Sequence, residues 1–192
     1  RRLHFLRVSP LQPDMPEFRT LYRRLSFRDA PIHLHAERLW ILDLSADEPT
    51  LLAGMRKTTR NLIRRSEREN VRVRFSSSER DLPEFFRLYD ETARRERFTP
   101  FPRKTLQEEF RAFQTYENGA LLGFAEQDSD LLAAALFVFT PWSGFYHHGA
   151  SSRRRPRVPA AYALQWAAIK EAMRRGCAAY NFWGVTPNTA AR

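Results

Sequence analysis

Cysteine is almost missing from this chain: Cys177 stands alone among 192 residues. One thiol excludes an internal disulfide framework and any thiolate metal cluster, and it fits a reducing cytoplasm. Lysine is scarce as well, with Lys57, Lys104 and Lys170 the only three among 32 basic side chains. Nucleotide composition of the source can produce that skew, so arginine abundance alone argues for nothing. Long apolar runs are also lacking. The longest, Leu131 to Phe139, is far short of the ~20 residues that cross a bilayer, and no signal-peptide pattern is visible.

What is present points to a folded, polyanion-facing protein. Hydrophobic residues make up 43% of the chain, with 15 Phe and 4 Trp, enough apolar surface for a real core. The length fits one large domain, or one domain plus part of another. The formal net charge is +10 and the sequence pI is about 10.6. That balance favours nucleic acid, nucleotide-linked substrates or an acidic membrane face, without choosing among them.

Periodicity gives an ordered series of elements. Leu3 to Val8 reads as a short strand, Pro16 to Leu25 as a helical piece and Arg38 to Leu44 as a strand. Ser45-Ala-Asp-Glu48 has the capping-box spacing, so one helix is expected from Pro49 to about Asn70. Leu51, Leu52, Met55, Leu62 and Ile63 mark its apolar face, and Arg56, Lys57, Arg60, Arg64, Arg65 and Arg68 its basic one. Next come a strand around Val71 to Phe75 and helices over 81–95 and 103–116. Strands follow at 120–126, 131–140 and 144–150, then a helix over 159–175 closed by Gly176 and a last strand over 178–185. The segment between the last long strand and that helix, Ser151-Ser-Arg-Arg-Arg-Pro-Arg-Val-Pro159, holds four arginines. Its plain reading is a solvated basic loop. A helix start flanked by arginines is equally a place for phosphate or carboxylate.

The order β-α-α-β-β-β-α-β matches the first part of the GNAT acyltransferase fold, an α+β architecture. Acetyl-CoA-dependent members cradle the CoA pyrophosphate on a glycine-rich loop at the position of 151–159. Here that loop has no glycine and two prolines, which argues against acetyl-CoA as donor. Several stretches resemble the FemABX family: Leu42 to Ser45 with Leu51 to Glu67, Phe85 to Phe98, Tyr146 to Trp166, and Gly176 to Gly184. The similarity runs in order over about residues 5–187.

That resemblance implies an aminoacyltransferase moving an amino acid from aminoacyl-tRNA to the stem peptide of a peptidoglycan precursor, lipid II or UDP-MurNAc-pentapeptide. No cofactor is implied beyond the tRNA co-substrate. The expected setting is the bacterial cytoplasm, with peripheral, substrate-mediated contact at the inner membrane face. Residues 1–45 become the tail of a first GNAT-like domain, 46–70 a basic junction helix, and 71–192 a second domain lacking its last strands. Family members carry a Phe-Lys pair in those strands, and another precursor-binding lysine in the first half of domain one. The chain begins at Arg1 without methionine, so a fragment inactive by itself is expected. The substrate-contact candidates are Ser152, Arg154, Arg155, Arg157 and Tyr162, with Tyr162 open to a plain core role. Lys57, Arg60, Arg64 and Arg65 are candidates for tRNA phosphates, on charge alone. Catalysis would rest on positioning an amine and an activated ester, and no triad is visible. The pair His147-His148 has no carboxylate or Cys at ligand spacing, so no metal is expected; strand alternation turns the two to opposite faces. The rivals are a GNAT-fold N-acyltransferase using acyl-CoA or another activated donor, and a non-enzymatic RNA-binding module.

Overall fold

The computed structural model describes residues 5–10, 14–31, 38–115 and 119–185. Two units divide the chain, one formed by 1–39 with 184–192 and the other by 40–183. In the first unit, α1 (Pro16–Arg24) opens on proline, which loses no hydrogen bond there. Residues 5–8 of the expected Leu3–Val8 strand are irregular, and the rest of that stretch lies outside the described residues.

The second unit is built on a six-stranded sheet in the order β1-β6-β5-β4-β3-β2. Its strands are β1 (Leu39–Asp43), β2 (Arg72–Ser76), β3 (Ala120–Gln127), β4 (Asp130–Phe139), β5 (Ser143–Ser151) and β6 (Ala179–Gly184). The helices are α2 (Glu48–Gly54), α3 (Lys57–Arg68), α4 (Leu82–Glu96), α5 (Arg103–Gln114) and α6 (Ala160–Arg174). The expected β-α-α-β-β-β-α-β order is thus present from β2 to β6. Alternate residues of β3 and β4 face two separate cores. Leu121, Ala135 and Phe137 meet Ile63 of α3 and Leu164, Ala168 and Ile169 of α6. On the other side Leu122, Phe124 and Leu136 meet Phe85 and Tyr89 of α4 with Leu106 and Phe110 of α5. Phe85, Phe110, Phe124 and Phe137 are fully buried, each worth about 1.5–3 kcal/mol of apolar transfer. Both faces of the central strands are covered, which is why they read as continuous apolar runs.

The single helix expected over 49–70 is two helices, α2 and α3. Met55 between them is extended (ψ 156), and Arg60 turns inward to donate to the carbonyls of Ala53, at 2.7 Å, and Met55. A guanidinium with several donors satisfies carbonyls that the broken helix leaves orphaned. The cap also moves: Asp47, not Ser45, accepts from the Thr50 amide at 3.0 Å. Gly176 closes α6 as expected, at φ +76. Its amide donates to Met173 O and that of Cys177 to Ala172 O, a Schellman pair.

Candidate active site

The site begins where two parallel strands part. β5 and β6 pair only over Ser143–Ala179, Gly144–Tyr180 and Phe145–Asn181. Beyond Phe145, β5 keeps β4 as its partner through to Ser151. At the parting β5 carries a bulge: Phe137 pairs with Tyr146 but Leu136 pairs with His148, leaving His147 as the extra residue. A bulge breaks the two-residue alternation of side chains. His147 and His148 therefore lie on the same side, correcting the expectation that they face opposite ways.

Both imidazoles reach Glu109 of α5. His147 Nε2 lies 3.0 Å from one carboxylate oxygen and His148 Nε2 3.4 Å from the other. The three side chains are 16%, 10% and 32% exposed for His147, His148 and Glu109. Aromatic rings close around them, with Tyr89 and Phe101 against His148 and Trp183 of β6 against His147 at 4.9 Å. Burial alone would raise the Glu109 carboxyl, yet the hydrogen bonds and charge of the two histidines draw it down to about 2. Burial holds His148 below its usual value, against the opposing pull of Glu109. The resting cluster is thus a carboxylate with a neutral His148 beside it. Sequence reasoning missed Glu109, which sits 38 residues upstream on an ordinary amphipathic helix.

On the far side of the bulge the strand end is clamped to α4. Thr92 Oγ1 accepts from the Ser151 amide at 3.0 Å, and Arg95 donates to the Ser151 carbonyl at 2.5 Å and to its hydroxyl at 2.9 Å. Gly149 packs under Tyr146, and a Cβ there would lie 1.6 Å from the tyrosine hydroxyl. None of these roles shows in the pattern of α4, whose Thr92 and Arg95 look like ordinary flank residues.

The arginine loop over 152–159 leads from that clamp into α6. Ser152 donates to Glu91 at 3.3 Å and accepts from the Arg154 amide. Arg155 is turned back into the protein, bonding Asp130 at 2.9 Å, Asp128 at 2.7 Å and Gln127 at 3.0 Å on the β3–β4 turn. Arg154 lies 3.6 Å from Asp130 and stays 60% exposed. Arg157 is exposed, without a polar partner among the described residues. Tyr162, 41% exposed on the first turn of α6, is not a core residue. The amides of Arg154, Val158, Ala160 and Tyr162 are all donated locally, and Pro156 and Pro159 have none to offer. Such a loop presents no amide nest for a pyrophosphate.

Among the four tRNA-phosphate candidates on α3, Lys57 and Arg64 are exposed, without polar partners among the described residues. Arg60 braces the α2–α3 corner, and Arg65 pairs with Glu69 at 2.6 Å. Gln127 joins this end of α3 to the loop, donating to Glu69 O at 2.7 Å while accepting from Arg155. The two candidate groups are therefore linked through one side chain, although three of their arginines, Arg60, Arg65 and Arg155, are engaged inside the fold.

Residues 53–189 match the family of the acetyltransferase (GNAT) domain. The chain belongs to that family. The crystal structure of FemX superposes on 92% of this GNAT chain and 62% of its own, with a TM-score of 0.79 at 15% identity. The structure of L-PGS from Bacillus licheniformis covers 92% of this chain and 52% of its own, with a TM-score of 0.59 at 16% identity. By sequence, aminoacyltransferase FemA of Staphylococcus epidermidis is 29% identical over 85 residues, 44% of this chain and 20% of that protein. The match therefore spans about one fifth of the length of that curated relative. These findings bear out the GNAT-like fold read from the sequence, and the likeness to FemA and FemX agrees with the FemABX resemblance. Among the described residues no helix is long and apolar enough to cross a membrane.

Proposed function

We propose that this GNAT domain is the transferring part of an aminoacyltransferase that takes an amino acid from aminoacyl-tRNA. Its acceptor is the stem peptide of a peptidoglycan precursor, lipid II or UDP-MurNAc-pentapeptide. The observation that carries this reading is the 151–159 loop. In a GNAT fold whose pyrophosphate cradle has no glycine and no free run of amides, the donor is an activated ester other than a CoA thioester. The local identity to a protein named as an aminoacyltransferase supports the same donor. Residues 1–45 then form the tail of a first GNAT-like domain, 46–70 the junction segment and 71–192 the second domain. Arg154, Arg157, Ser152 and Tyr162 face the precursor, with Arg155 holding their loop in place. Lys57 and Arg64 meet tRNA phosphates, while Arg60 and Arg65 hold the helix that presents them. Substrate brings the protein to the inner face of the cytoplasmic membrane.

The test supplies the protein, within its whole parent chain, with a bulk charged tRNA pool. Each amino acid is radiolabelled in turn, with UDP-linked and lipid-linked muropeptides as acceptors. Label entering the muropeptide, and lost when tRNA is digested, is the expected result. No transfer to either acceptor, together with stabilisation by acyl-CoA, favours the CoA-dependent reading that the family's own description suggests.

A further inference from the structure

The cluster at the bulge has a shape that hydrogen bonding to Glu109 does not require. A regular strand would aim one imidazole at the carboxylate and the other at the opposite core. Here a bulge, which gives up ladder pairing, turns two consecutive imidazoles the same way and brings both Nε2 atoms to one carboxylate. Three donor atoms, two imidazole nitrogens and one carboxylate oxygen, come within 4.8 Å of one another. A tetrahedral cation with bonds of about 2.0–2.1 Å holds its donors about 3.3 Å apart. Glu109 lies 3.0 Å from His147 through one oxygen and 3.4 Å from His148 through the other, each close to that spacing.

We propose that Glu109, His147 and His148 form a three-ligand site for a divalent transition cation of the zinc type. Two nitrogens and one oxygen suit zinc or cobalt, whereas calcium and magnesium take oxygen ligands. The rings of Tyr89, Phe101 and Trp183 shield the site and fix the imidazole planes. Three protein ligands leave one position open, the mark of a site that receives a substrate or solvent oxygen rather than a purely structural one. The bulge that carries both histidines lies just past Phe145, where β5 leaves β6. The site stands on this chain's own residues and does not depend on which donor or acceptor the enzyme uses.

The test reads binding rather than activity. Protein stripped with a chelator and freed of any affinity tag is titrated with Co2+, whose visible absorption reports a tetrahedral nitrogen–oxygen site, and then with Zn2+. One cobalt per chain, displaced by zinc, is expected. Zinc at ~100 times its Kd should raise Tm by about 5–10 °C. Glu109→Gln and His148→Gln should weaken binding by more than the roughly 10–100-fold that follows loss of a mere supporting partner. Circular dichroism of each variant checks folding, and His147→Gln serves as the third variant should either fail. No cobalt spectrum and no zinc-dependent shift overturns the proposal. So does unchanged affinity in folded variants, which would place the cation on other histidines.

Discussion

Gly149→Ala tests the packing of Tyr146 over Gly149 on β5. Alanine suits an extended strand better than glycine by about 0.5–1 kcal/mol, so without a clash the change should stabilise. The structure opposes that gain. The new methyl would sit 1.6 Å from the Tyr146 hydroxyl, 2.3 Å from Cζ and 3.1 Å from Cε2. The tyrosine cannot simply swing away, because its ring is held against Phe137 at 5.9 Å. Overpacking of this kind costs about 1–3 kcal/mol, and in a chain of this size each kcal/mol lowers Tm by about 2–4 °C. Thermal unfolding by circular dichroism gives the net sign. Tyr146→Leu removes the hydroxyl and Cζ, so the double variant should be less destabilised than the sum of the single changes. A Gly149→Ala protein as stable as the parent, or strictly additive effects, would refute the reasoning.

Further outcomes follow from the same geometry. Arg157→Met should leave Tm unchanged and weaken the acceptor interaction, whereas Arg155→Met should lower Tm by freeing the loop from Asp128 and Asp130; melting curves and KM separate the two. Gly176→Ala should cost about 1–2 kcal/mol by chemical denaturation, because φ +76 suits glycine and nothing lies within 4 Å to compensate. In cation-free protein, stability should fall with acid in two windows. The folded values of His148 and Glu109 lie below 6.5 and 4.5 respectively, so the unfolded chain takes up each proton first. The first loss begins as pH drops through 6.5 and the second runs from 4.5 towards 2. Urea midpoints between pH 8 and 3 measure both, and His148→Gln should abolish the upper window and narrow the lower one, since His148 is one of the two histidines that draw Glu109 down.

Much of the fold was legible because the driving patterns are local. Continuous apolar runs announced β3 and β4, and Gly176 marked the end of α6. The break between α2 and α3 was hidden because Leu51, Leu52 and Met55 keep helical spacing right up to it, while the residue that makes the break tolerable, Arg60, looks like one more surface cation. Asp47 took the cap from Ser45, since either can accept from an amide two or three residues on. The cluster at Glu109 was beyond reach for a deeper reason. Strand alternation is the rule that placed His147 and His148 on opposite faces, and a bulge cancels that rule without leaving a mark in composition. Charge misled in the opposite direction: Arg60, Arg65 and Arg155 count toward a basic surface, yet each is committed to a carbonyl or carboxylate of its own fold.

The short parallel pairing of β5 with β6 has an effect on the main chain itself. After Phe145, β5 has a neighbour on one side only, so the edge turned towards β6 carries amides and carbonyls spaced as in any ladder but without a partner strand. Water satisfies such an edge poorly between aromatic walls. An extended chain rich in amide groups satisfies it well, entering as a temporary seventh strand and being held in register by its backbone rather than by its side chains. Recognition of this kind would fix where such a chain lies along β5 while remaining tolerant of its side chains.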